Sequence, residues 1–231
     1  MVSYFLMQTL QEKIQKSHQI IKQALQHFPS HEVTVAWTGG KDSTVLLHMI
    51  RMIFKNTVPF PVMFNDSTME FEAIYDFIRF LTEKWELKLT VIPHNPRELE
   101  EFQKTKSPYR KKELSRLMKI HAINRFLTTN NVKAFIAGIR WDEHRARSKE
   151  TYFSPRKNHT RIHPILHFTE ANIWTYIKKF GVPYVKLYDQ GYRSLGEKPF
   201  TKKAIKGKGE RSGREHDKEH LMEKLRAMGY W

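Results

Sequence analysis

The chain has 231 residues, no cysteine and a formal net charge of +16. Its length allows one sizeable α/β domain or a domain with an appendage, and its 40% hydrophobic and 13% aromatic content allows a real core. The cysteine count excludes disulfides, thiolate zinc sites and thiol nucleophiles among these residues, no apolar run approaches the ~18 residues of a membrane span, and the basic excess suits a polyanion or a small, highly charged substrate.

Apolar residues at Leu6, Leu10, Ile14, Ile20, Ile21, Leu25 and Phe28 have helical spacing, and Pro29-Ser30 ends that helix. Met1 to Phe28 has no apolar core of a secretory signal, so a cytoplasmic protein is expected. Val33 to Trp37 is a short β-forming run. It enters Thr38-Gly39-Gly40-Lys41-Asp42-Ser43 and then a helix with Val45, Leu46, Leu47, Met49, Ile50 and Ile53 as its apolar body. Gly39-Gly40 lets the backbone turn back and approach a ligand closely. The N–H groups and positive dipole end of the following helix form an anion site, beside which Lys41 adds an ammonium. The spacing is not that of a Walker A loop, which needs four residues between its first Gly and Gly-Lys-Ser/Thr.

Phe60 to Phe64 reads as a second strand, closed by the polar Asn65-Asp66-Ser67-Thr68. Met69 to Trp85 reads as a helix, Leu87 to Ile92 as a strand stopped by Pro93, Pro96 to Tyr109 as a polar connection, Lys111 to Leu127 as a helix and Ala134 to Gly138 as a fourth strand. There is no internal repeat. Strands alternating with helices predict an α/β fold, an open, mostly parallel sheet with helices on both faces. Ligands of such sheets sit beyond the carboxyl ends of the strands. Thr38–Thr44, Asn65–Thr68 and the stretch after Gly138 fall there.

That last stretch carries Arg140, Arg145, Arg147 and Lys149 among Asp142, Glu143 and Glu150, with Arg156 shortly after. Arginine's fork binds phosphate or sulfate bidentately; the carboxylates could fix the arginines or ligate Mg²⁺. His144, His159, His163 and His167 lack the spacing of a zinc helix and are not read as a metal site. Thr169-Glu170 starts a further helix. Gly191 and Gly196 bracket Arg193 in a loop suited to fold over a site. Residues 1–196 are expected to form the nucleotide-binding domain and 197–231 a basic extension, mobile without a ligand from Lys198 to Arg214 and ending in a short helix over Asp217–Met228.

The loop Thr38–Ser43 resembles the Ser-Gly-Gly-Lys-Asp-Ser loop of the PP-loop ATP pyrophosphatases, with Thr38 in place of the first Ser. With Phe60–Asp66, Gly138–Glu150, Phe153–Arg156, His163–Glu170, Ile173-Trp174 and Gly191–Gly196, in that order, the chain resembles the PAPS reductase / ATP sulfurylase small-subunit family of adenine-nucleotide α-hydrolase-like proteins. Within it the chain looks most like the sulfate adenylyltransferase small subunit, whose C-terminus is also similar to Gly213-Arg214, Asp217-Lys218 and Gly229-Tyr230. The resemblance implies ATP cleavage between the α- and β-phosphates and adenylyl transfer to sulfate or another small oxyanion. It implies that Thr38, Gly39, Gly40, Lys41, Asp42 and Ser43 hold the β/γ-phosphates, that backbone near Ala36, Trp37 and Phe64 takes the adenine, and that Gly138 borders the nucleotide. Asp42 or Asp66 would hold Mg²⁺, and Arg140, Arg145 and Arg147, with Arg156 and Arg193, would bind the acceptor anion. A large GTPase subunit or a second copy of the chain would be the protein partner, with no membrane involved.

The chain also departs from the family. Its thioredoxin-linked reductases use a C-terminal cysteine, and there is none here. Relatives often follow the Gly-Tyr-Arg-Ser-Leu-Gly string with Cys-x-Pro-Cys, where this chain has Glu197-Lys-Pro-Phe200, and part of the small subunit's central region is missing. Two alternatives stay open: a PP-loop enzyme activating nucleic acid, suggested by the charge and by Lys104, Lys106, Arg110, Lys111, Lys112, Arg116 and Lys119, and a nucleotide-binding subunit without turnover.

Overall fold

The computed structural model describes residues 9–214 and 221–228. In chain order the helices and strands are α1 (Leu10–His27), β1 (Val33–Ala36), α2 (Lys41–Ile53), β2 (Val62–Asp66), α3 (Glu72–Lys84), β3 (Leu89–Pro93), α4 (Pro96–Lys104), α5 (Pro108–Thr129), β4 (Ala134–Ile136), β5 (Phe153–Pro155), β6 (Thr160–Ile162), α6 (Glu170–Phe180) and α7 (Met222–Ala227). The strands form one six-stranded sheet in the order β3-β2-β1-β4-β6-β5. Every pairing is parallel except that of β5 with β6 at one edge.

The two-residue period of a strand divides the core. Val33 and Val35 of β1, Val62 and Phe64 of β2, Ala134 and Ile136 of β4 and Ile162 of β6 share one cluster with the apolar sides of α1, α2, α3 and α6. Met63 and Phe135 point the other way, against Ala122, Ile123, Phe126 and Leu127 of α5. Helices therefore cover both faces. From β1 the chain steps outward through α2, β2, α3 and β3, then returns over the sheet by α4 and α5 to lay β4 on the other side of β1. The direction of winding reverses between β1 and β4, so the connections leaving their carboxyl ends diverge and open a crevice.

Local chemistry accounts for the element ends. Thr9 and Glu12 form a reciprocal capping box on α1, the Glu12 carboxylate accepting the Thr9 N–H at 2.7 Å. Thr169 caps α6, and Gly181 closes it in the left-handed conformation.

The structure corrects the sequence reading in three places. Pro96–Tyr109 is not merely a connection. Asn95 accepts the Arg97 N–H at 2.9 Å and Pro96 opens α4, a nine-residue helix set by its cap that buries no residue fully and whose apolar side, Leu99 and Phe102, is too short to show a period. The short strands β5 and β6 lie inside the arginine-rich stretch, each too brief to show a period. The basic residues near α5 do not make a clear cationic face: Arg110 bridges Glu101 and Glu113 at 2.7 and 2.8 Å, Lys104 pairs with Glu100 at 2.5 Å, and Arg116 is buried. The expected start of the first helix at Leu6, the helix residues before Leu221 and the Gly229-Tyr230 ending lie outside the described residues. Among the described residues no helix is long and apolar enough to cross a membrane.

Burial, the leading cause at each site, lowers the pKa of His163 to about 3 and those of His48, His94 and His167 to about 4, from 6.5. The folded protein holds these rings neutral while the unfolded chain protonates them below about pH 6.5, so stability is fully present above that pH and is lost as pH falls towards 4. The melting temperature followed by circular dichroism is expected to drop between pH 7 and pH 4.5; a flat profile over that range would contradict these environments.

Candidate functional site

The glycine turn after β1 is built around one left-handed residue. Gly39 has φ of +71°, and a Cβ there would also stand 3.2 Å from Ile74 Cγ2, so the position favours glycine on two counts. Gly40 precedes the first residue of α2. The Thr38 N–H donates to Ser43 Oγ at 3.2 Å, and the Ser43 and Thr44 hydroxyls donate to the Gly40 carbonyl at 3.0 and 2.9 Å. The buried indole of Trp37 donates to Thr44 Oγ1 at 3.0 Å, and Tyr188 Oη accepts the Lys41 N–H at 2.9 Å. Gly138, just past β4, lies directly against this corner: a Cβ on it would meet Ser43 Cα at 3.1 Å and the Asp42 carbonyl oxygen at 3.2 Å.

Charge is concentrated here with little solvent. Lys41 is 1% exposed and Arg140 is fully buried. The Lys41 ammonium donates to Asp42 at 3.1 Å, to the Arg193 carbonyl at 3.0 Å and to Glu210. Arg140 contacts Asp42 at 2.6 Å, and Asp142 and Glu210 at 2.5 Å each. Glu143 pairs with Arg147 and lies 3.8 Å from Arg211. Burial by itself would lower the Lys41 pKa, but Asp42, Tyr188 and Glu210 outweigh it and the ammonium is held charged. Burial likewise opposes ionisation of Asp42, yet Arg140 and Lys41 bring its pKa below the usual carboxylate value. Glu210 moves the other way, raised by burial and by the Asp42 charge.

A cavity of about 250 Å³ opens beside this network. Of the residues singled out from sequence, Ala36, Trp37, Thr38, Gly40, Lys41, Asp42, Ser43, Phe64, Gly138 and Arg147 line it, and Arg140 lies next to it through Asp42 and Glu210. Others are placed elsewhere. Asp66 accepts from Tyr75 Oη and the Thr68 N–H, both at 2.8 Å, and is not part of the acidic group. Arg145 is exposed on a surface turn. Arg156 bonds Ser154 at 2.7 Å and faces Glu150 at 3.4 Å, while Arg193 turns its guanidinium to Glu170 at 3.2 Å and offers Lys41 only its carbonyl. The carboxylates brought together are Asp42, Glu143 and Glu210, with one oxygen from each within 4.8 Å of the others; this set suits a hard divalent cation.

No motif in the sequence marks Tyr188, Glu210, Glu70 or Lys119 for the site, and the sequence suggests Arg211 and Arg214 only as cations of a mobile tail. Instead, 197–214 packs against the cleft: Glu197 and Thr201 are buried, and Arg211 and Arg214 line the cavity. A lone acid at 210 within a basic segment was the available signal. On the opposite wall Glu70, its pKa raised by burial, lies 3.8 Å from Lys119. Lys119 also reaches Glu197 at 3.3 Å, and Glu197 accepts from Ser115 at 2.5 Å.

The sheet is wound in both directions from β1, with a glycine turn and a buried lysine at the point of reversal, and this α/β fold is the adenine nucleotide α-hydrolase-like one shared with a PAPS reductase structure. Residues 32–203 match the phosphoadenosine phosphosulfate reductase domain model, and the chain belongs to that family. It is 31% identical to a phosphoadenosine 5'-phosphosulfate reductase of Buchnera aphidicola, over 81% of this chain and 77% of the relative. It is also 31% identical to sulfate adenylyltransferase subunit 2 of Pseudomonas putida, over 70% of this chain and 61% of that subunit. Its fold is shared by the Candida auris PAPS reductase in a phosphate complex (TM-score 0.67, 21% identity, 80% of this chain and 89% of that one). It is shared too by the Candida glabrata FMN adenylyltransferase with FAD and inorganic pyrophosphate (TM-score 0.66, 21% identity, 87% and 69%).

Gly138→Ala is expected to destabilise the protein by about 1–3 kcal/mol in urea unfolding, because the new methyl meets backbone rather than a movable side chain. Gly209→Ala, with nothing within 4 Å, should change stability by under about 0.5 kcal/mol. Equal costs for the two would show that Gly138 does not set the corner.

Proposed function

We propose that the chain is an ATP-dependent nucleotidyltransferase that breaks ATP between its α- and β-phosphates and passes the adenylyl group to a small oxyanion, sulfate first among them. The observation that carries this reading is the meeting of buried Lys41 and Arg140 with the glycine corner of α2 beside a partly apolar cavity. In this reading the adenine takes the slot bordered by Ala36, Trp37, Met63 and Phe64, and the β- and γ-phosphates face Thr38–Ser43. An acceptor oxygen attacks the α-phosphorus, the bond to the bridging β-oxygen breaks, and pyrophosphate leaves with that electron pair. A sulfate dianion needs no base to activate it. The protein's task is then alignment and charge neutralisation. Lys41 and Arg140 offset charge on the departing pyrophosphate. Arg147 is a cation on the cavity wall for the acceptor, in place of Arg145 and Arg156, which lie away from it. A bound Mg²⁺ would screen the phosphates, with Asp42 and Glu143 as its ligands.

The absence of any cysteine from the 231 residues favours this reading over thiol-based reduction. Relatives named as subunit 2 of a sulfate adenylyltransferase support a second subunit, by resemblance a GTPase. A nucleic-acid acceptor is the second reading. It rests on Lys198, Lys202, Lys203, Lys206 and Lys208, all exposed on the segment that borders the cleft.

The test is a panel of acceptors, sulfate first, scored for pyrophosphate released from ATP. Sulfate-dependent release is expected, and Lys41→Ala should lower it by roughly 10²–10³-fold, the usual consequence of removing a preorganised donor to developing charge. Release triggered by RNA or DNA alone would favour the second reading. Equal release by wild type and Lys41→Ala would remove the glycine corner from the mechanism.

A further inference from the structure

Two buried cations of the site, Lys41 and Arg140, are engaged by a carboxylate of the same chain. Glu210 places one oxygen on the Lys41 ammonium and the other 2.5 Å from Arg140 Nη2. Two oxygens bridging two cations is the arrangement a phosphate would adopt on the same pair. Glu210 reaches them on a strap, residues 201–214. At its base Thr201 pairs with Arg214, and the Lys202 N–H donates to the Gly213 carbonyl at 2.8 Å. Further along, the Ile205 N–H donates to Ser212 Oγ at 2.9 Å and Arg193 donates to the Lys208 carbonyl at 2.9 Å.

The strap contributes no residue to the buried apolar clusters. Lys202, Lys203, Ile205, Lys206, Gly207, Lys208 and Gly209 are all exposed. Polar contacts therefore hold it down, with those of Glu210 among the best shielded from water. Asp42 and Glu143 already crowd Glu210 with like charge, and an incoming polyphosphate would add several negative charges to the same spot.

We propose that Glu210 is an internal substitute for phosphate: it neutralises Lys41 and Arg140 until a polyphosphate binds, and it is then displaced together with its strap. This inference rests on the reading of Lys41 and Arg140 as phosphate ligands. It adds that the protein regulates access to them with its own carboxylate.

Inorganic pyrophosphate in EDTA-containing buffer is the probe, so that any role of Glu210 as a metal ligand stays silent. Calorimetry on Glu210→Gln, which keeps the shape and removes the charge, should show pyrophosphate bound about tenfold or more tightly than by wild type. Lys41→Ala should bind it about tenfold or more weakly. If Lys41→Ala matches wild type, the phosphate reading itself fails. If Lys41→Ala weakens binding while Glu210→Gln leaves it unchanged or weaker, the substitute role alone fails. The unmutated protein gives an independent check. Saturating pyrophosphate should speed tryptic cleavage after Lys202, Lys203, Lys206 and Lys208 several-fold, and protection or an unchanged rate would overturn displacement of the strap.

Discussion

Lys41 and Arg140 are cations at 1% and 0% exposure, and the rest of the site is arranged around keeping them charged. An ion removed from water loses several kcal/mol of hydration, which only close partners offset. Here Asp42 touches both cations, Glu210 touches both, and Asp142 touches Arg140. Each partner comes from a different part of the chain: the first turn of α2, the strap, and the turn after β4. The network therefore joins segments that local structure alone would leave independent. Loss of one member leaves an uncompensated charge at the carboxyl edge of the sheet, a more serious defect than the loss of an ordinary surface pair.

The sheet topology makes such a network possible. A parallel strand sends its connection out at its carboxyl end, and the reversal of winding between β1 and β4 leaves that end uncovered by a crossover helix. Gly138 lets the chain leaving β4 pass within van der Waals distance of the first turn of α2. Arg140 follows two residues later, so its guanidinium enters beside Asp42 rather than above the cleft. The apolar clusters on the two faces hold these ends rigid, which is what a site that works by alignment requires.

By the resemblance to the family, position 197 is where a Cys-x-Pro-Cys string would begin, and Glu197 stands there instead. Here it is buried, accepting from Ser115 and pairing with Lys119 on α5, and the adjoining Lys198 N–H bonds the Met69 carbonyl at 2.8 Å. Its role in this structure is to fasten the start of the 197–214 segment to the wall of the cavity.

Much of this was legible in the sequence. Short apolar runs alternating with amphipathic stretches specify strands and helices by their periods, and Gly39-Gly40-Lys41-Asp42-Ser43 specifies an anion-binding corner by backbone freedom and a helix end. Where period and local chemistry ran out, so did the reading. Helix α4 has a cap but no buried stripe, and β5 and β6 have three residues each. The arginines were the harder case. Arg140, Arg145, Arg147 and Arg156 look alike along the chain, yet one is buried in the network, one is exposed, one lines the cavity and one serves Glu150. Residue type sets what a side chain can bind, whereas direction and burial depend on which distant segment lies opposite. The sequence by itself determined the fold class, the glycine corner and the cations available to it. Only the tertiary structure decided that Glu210, 169 residues from Lys41, would occupy those cations, because charge pairing across such a separation follows from packing and leaves no local pattern.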